Sequence, residues 1–209
     1  MFMPNVRQFE AAHPVAAPFG HPAATLPAGI PAATLVETAE GWRPAGTLKP
    51  GDRLATWDGG LQPVLSVRAE CLQPGLAEHL IRVPGGVLNT CGTVWLRPGQ
   101  LVLIRSAQAA AVLDAEAVLL PAAALAGYRG IAPVPLSGPV TAITLRFADH
   151  EVIFAASGLG LHCAAAEAPA AGALTECGYL PVLDVARGTA LMALIGTGAL
   201  TTADLPRAA

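Results

Sequence analysis

From Ala33 onward the chain alternates short apolar runs with clusters of glycine, proline and aspartate. "ATLVET" is a β-prone run that meets a tight-turn signal at "EGW". "RPAGTL" leads into "KPGD", where proline followed by glycine suits a turn. "RLATWD" alternates apolar and polar residues, the period of a half-buried strand, and ends at the hairpin signal "DGG". "LQPVLSVRAECL" predicts another strand, long enough to curve or bulge around Pro63. "EHLIRV" precedes a Pro-Gly-Gly turn, and "TVWL" and "LVLIRS" are apolar runs split by "RPGQ".

After Ser106 the texture changes. Ser106 is suited to cap a short helix over "AQAAAVL"; a strand "AVLLP" and a helix of one to two turns over "AAALAG", ending at Gly127, follow. "AITLRF" and "EVIFA", separated by "ADHE", predict the clearest strand pair. Beyond Ala164 lie an alanine-rich linker, a strand "GYLPVLDV" and a terminal helix to about Leu200. Residues 1–28 read as a proline- and alanine-rich tail with little periodicity. Alanine favours helix by propensity, but the proline and glycine punctuation overrides it. The pattern predicts an all-β domain of short strands with one or two short inserted helices.

Composition narrows the function. The formal net charge is −3, only 13% of residues are charged, and the basic residues are scattered, so no nucleic-acid footprint is expected. The mean hydropathy of +0.52 raises the question of a membrane span. The best stretches, residues 188–200 and 117–127, fall short of the ~20 apolar residues a spanning helix needs, and the second contains Pro121. The N-terminus carries Glu10 and His13 and has no continuous apolar core, so it does not read as a secretory signal, which points to the cytoplasm or to export by a route without a signal peptide. Cys71, Cys91, Cys163 and Cys177 form no C-x-x-C pair, so free thiols are expected and zinc is not.

Four segments in order carry a resemblance. "TLVETAEGWRPAGTLKPGDRLATWDGGLQPV" is similar to the first block of the Hint (Hedgehog/intein) self-processing family in its bacterial stand-alone form. Gly41 to Pro44, Leu48, Gly51, Asp52 and Leu54 match that family's "G-W-R-P-V-x-x-L-x-x-G-D-x-V" run. "IRVPGGVL", "LRPGQLVLIRSAQAAAVLDAEAVLLPAAAL" and "ITLRFADHEVIFAASGL" resemble its later segments. The resemblance implies a horseshoe-like fold of short, strongly curved strands over residues 29–163. A tail over 1–28 and a C-terminal extension over 164–209 would flank it.

The family's chemistry, as the resemblance implies it, begins with a Cys or Ser that attacks the preceding carbonyl. A histidine then protonates the leaving amine, and polar groups steady the tetrahedral intermediate. Matching "GIPAATLV" to the family's "CFTPGTLI" puts Gly29 at the nucleophile and Thr34 at its threonine. Matching "RPGQLVLI" to "SPQHRVLV" puts Gln100 at the second-block histidine. Glycine has no group to attack with, and glutamine cannot deliver a proton at neutral pH. His150 matches the family's later histidine and reads as a general acid or as an ordinary turn histidine. Asp52 would orient a catalytic group or simply close its turn; Thr34 would be a weak hydroxyl nucleophile or a strand residue; Cys91 would be a displaced thiol nucleophile or inert. His162 and Cys163 could join His150 around a metal, but core or surface roles suit them better. Asp149 and Glu151 read as solvated turn carboxylates. The expectation is a catalytically degenerate module that serves as a scaffold or binds a protein partner, with no cofactor and no metal. The alternative is self-cleavage near residue 29 through an acyl shift.

Overall fold

A computed structural model describes residues 26–75, 78–167 and 180–197. Most of the proposed tail, the alanine-rich linker, Cys177 and the end of the terminal helix lie outside those residues. The strands are β1 (Ile30–Pro31), β2 (Leu35–Thr38), β3 (Gly41–Pro44), β4 (Arg53–Thr56), β5 (Gly60–Pro63), β6 (Ser66–Leu72) and β7 (His79–Val83). They continue as β8 (Val94–Leu96), β9 (Leu101–Arg105), β10 (Ala117–Pro121), β11 (Ala132–Pro135), β12 (Val140–Arg146), β13 (Glu151–Ala155) and β14 (Leu159–Cys163). Two helices, α1 (Ala107–Leu113) and α2 (Val185–Thr197), complete the architecture. The fold is all-β in character, and its sheets do not close into a barrel.

One sheet runs β10-β9-β14-β13-β2-β4-β5, with β3 paired to β2. Two further sheets are three-stranded, β1-β12-β6 and β11-β7-β8. Leu54, Leu96, Leu120, Phe147, Ile153 and Leu161 are fully buried in a common core. Leu191 and Met192 of α2 join the same cluster, so the C-terminal helix is packed into the core. Gly188 is what lets α2 settle: a Cβ there would come 2.8 Å from that of Ala124. No helix among the described residues is long and apolar enough to cross a membrane.

Local signals are realised where they are short-range. Ser106 accepts the Ala109 N–H at 3.0 Å and caps α1, which ends at a left-handed Asp114. The "DGG" turn joins β4 to β5 in antiparallel register, and Gly51 closes the "KPGD" turn with φ of 96°.

Three expectations are corrected. "AITLRF" and "EVIFA" do not pair with each other: β12 lies between β1 and β6, whereas β13 pairs with β14, β2 and β4. The chain passes from one sheet to the other at Phe147, which is buried in the core. The second inserted helix is a 3-10 turn over Ala122–Leu125, begun by Pro121. Among the described residues of "GYLPVLDV", from Leu180 on, there is a single parallel bridge, Leu119 to Val182, before α2 begins at Val185. β11, "APVP", lies at a sheet edge, where the missing N–H groups of its prolines are tolerated.

Candidate functional site

The chain enters the domain beside the turn that links β8 to β9. Gly99 N–H donates to the Pro27 carbonyl at 2.9 Å, and Arg97 N–H donates to the Gly29 carbonyl at 3.2 Å. Gly29 N–H donates to Gln100 Oε1 at 3.1 Å. Residues 27–29 are thereby held as an extended segment against residues 97–100. A Cβ on Gly99 would collide with the backbone of Leu26, so only glycine permits this approach. Arg97, buried along its stem, donates to Glu70 Oε2 at 2.6 Å and clamps one side of the entry.

Gly29 and Gln100, 71 positions apart in sequence, are thus in direct contact, and both are buried. Gly29 has φ of 131°, a conformation that strains residues with a side chain. A Cβ there would meet the Ile143 carbonyl oxygen at 3.2 Å and Thr144 Oγ1 at 3.4 Å. The Gln100 amide is oriented by its surroundings: Nε2 donates to the carbonyls of Leu101 (3.1 Å) and His162 (2.9 Å). Its oxygen is left to accept the Gly29 N–H. An acceptor on the amide nitrogen's proton stabilises the intact peptide; leaving-group chemistry would need a donor there.

His150 reaches this pair only at second hand. Its Nδ1 lies 3.0 Å from His162 Nε2, and the two rings stack with centroids 5.2 Å apart. His162 sits on β14 opposite Val152, and its carbonyl is the one Gln100 binds. Burial first, then the neighbouring His150, pushes the His162 imidazole down to about 4, so it is neutral at physiological pH. Sequence reasoning singled out His162 only as a weak metal ligand. Its role as the partner of His150 depends on the β13–β14 register, which no local signal announces. Among the described residues no three His, Cys, Asp or Glu side chains group to hold a metal ion.

The other predicted residues lie apart from Gly29 in their bonding. Asp52 Oδ2 accepts the Lys49 N–H at 2.9 Å, closing its own turn, with Arg43 Nη2 at 3.4 Å. Thr34 uses its backbone, donating to Pro31 and accepting from Ala45. Cys91 is exposed; its sulfur accepts from Ser157 Oγ at 3.0 Å and its N–H donates to Ala156. Cys163 is packed at the edge of the core, where burial and then Glu151 push its thiol up to about 12.

Glu151 is a correction: it is buried rather than solvated, and Oε2 has no hydrogen-bond partner. Its carboxyl is raised above the usual range, chiefly by burial, against a lowering contribution from Thr56. A Cβ on Gly59 would stand 2.9 Å from that oxygen, so the first glycine of "WDGG" leaves room for the carboxylate.

Comparison with known proteins gave no match among curated proteins. A solved bacterial intein-like domain from Clostridium thermocellum is 12% identical, covering 65% of this chain and 97% of its own, with a TM-score of 0.47. The gp41-1 intein is 13% identical, covering 64% of this chain and 98% of its own, with a TM-score of 0.43. The sequence model of the Hint domain matches residues 30–160, well over half of the chain. This protein therefore belongs to the Hint domain family.

Proposed function

We propose that the chain is a catalytically degenerate Hint domain, which keeps its N-terminal segment attached and serves as a scaffold or interaction module. One observation carries the reading: the position that resembles the processing nucleophile is Gly29, whose N–H is accepted by Gln100 Oε1 at 3.1 Å. No side chain at residue 29 can attack the Ala28 carbonyl, and the partner of the nitrogen that would leave is an acceptor, Gln100 Oε1. The Hint unit would run over residues 29–163, with the lead segment bound through Gly99, Arg97 and Gln100 and so presented at a fixed exit. Leu35, Trp42, Leu61 and Leu65, exposed on β2, β3, β5 and the segment after β5, supply apolar surface of the sort protein partners bury.

The test is the intact mass of the purified full-length chain before and after incubation with hydroxylamine or dithiothreitol. The expected result is one unchanged species. Fragments ending near residue 29, or nucleophile adducts on them, would refute the proposal and return self-cleavage to first place. Thr144, whose hydroxyl lies nearest the missing side chain, would then be mutated first, followed by Thr34 and Cys91.

A further inference from the structure

A cleft whose lining includes neither Gly29 nor Gln100 lies elsewhere on the domain. Arg105 ends β9, five residues beyond Gln100, which along a strand corresponds to ~17 Å. There a half-open cleft of about 340 Å³ is lined by Trp57, Arg105, Tyr128, Arg129, Phe154 and Met192, among others. That volume falls in the range of small-molecule sites, which begins at roughly 300 Å³.

Its chemistry is one-sided. Arg105 and Arg129 are the only charged residues in the lining, and no carboxylate pairs with either among the described residues. Each guanidinium instead rests near an aromatic ring, Arg105 at 5.9 Å from the centre of Trp57 and Arg129 at 5.3 Å from that of Tyr128. Stacking of this kind leaves the edge N–H groups of a guanidinium free for a planar anion. Phe154, Leu103, Met192 and Ile195 give the cleft an apolar portion of wall, beside the polar side chains of Asn89 and Ser106. A phosphate or sulfate would leave that wall unused and would have to shed its water against it. A neutral hydrocarbon would leave the two cations unanswered.

We propose that this cleft binds a small aromatic monocarboxylate, its ring against Trp57, Phe154 and Met192 and its carboxylate on Arg105 and Arg129. The site is independent of the peptide at residue 29: it uses the outer end of the β9–β14–β13 sheet and the surface of α2. Binding and cleavage can therefore be tested separately.

The experiment is a titration of the full-length chain with naphthalene-2-carboxylate, followed by NMR at the Trp57 indole, the Met192 methyl and the Gly158 and Gly160 amides. Saturable shifts confined to those groups are expected. Naphthalene-2-carboxamide, of the same shape without the charge, should bind at least tenfold more weakly. Arg105→Gln with Arg129→Asn should weaken the carboxylate at least tenfold; Asn is chosen because Arg129 has φ of 44°, which Asn tolerates. Both arginines are exposed, and an unchanged spectrum away from the cleft verifies the fold; Arg105→Gln alone serves if the double variant is impaired. Equal affinity for acid and amide, indifference to the arginine substitutions, or shifts centred elsewhere would overturn the proposal.

Discussion

Acid should destabilise this protein through His162. The imidazole is buried against His150 and titrates at about 4, compared with 6.5 in an unfolded chain. Between those values the unfolded state binds more protons than the folded state, so stability falls as pH drops from 6.5 to about 4. At about 1.4 kcal/mol per pH unit of displacement the full loss is about 3 kcal/mol, a substantial share of a typical domain's stability. Glu151 acts in the opposite sense. Its folded carboxyl is raised, so its contribution is present in acid and fades as pH rises above 4.5. The assay is urea unfolding of the wild type and of His162→Phe at half-unit steps from pH 4 to 7.5. Glu151 is present in both proteins and cancels, so the difference curve isolates His162. It should shift by about 3 kcal/mol against the wild type over that window. Parallel curves would refute the reasoning, since the imidazole would then be titrating as if solvated. Glu151→Gln should make the wild-type acid loss steeper.

Other outcomes follow from the entry cleft. Gly29→Ala forces a side chain into a positive-φ position against the Ile143 carbonyl and should cost about 1–3 kcal/mol in urea unfolding, without creating any cleavage. Gln100→Ala leaves the Gly29 N–H and the His162 carbonyl without their side-chain partner. It should cost about 1–3 kcal/mol and speed hydrogen exchange at Gly29. Gly99→Ala should push Leu26 and Pro27 off the domain, seen as faster proteolysis before residue 29 with the core spectrum retained. In native protein at pH 8, iodoacetamide should label the exposed Cys71 and Cys91 and leave Cys163 unmodified by peptide mapping, because the Cys163 thiol is pushed up to about 12.

The chain by itself determined the features that depend on neighbours in sequence: the β4–β5 hairpin at "DGG", the Ser106 cap and the Asp52 turn. Turn chemistry and capping involve a few adjacent residues, so their signals are complete in the string. The identities of Gly29 and Gln100, on which the proposed loss of chemistry rests, were also legible, because they are questions of residue type. Tertiary structure alone decided that these two touch, since 71 positions separate them and a hydrogen bond between them needs the β8–β9 turn brought beside β1. It also decided that β12 and β13 part company. Alternating apolar residues specify that a strand is half-buried but leave open which strand lies alongside it, and here the burial of Phe147 in the common core directs the chain from one sheet to the next. The burial of Glu151 and the pairing of His150 with His162 follow from that change of sheet, so no local reading of "ADHEVIF" contained them.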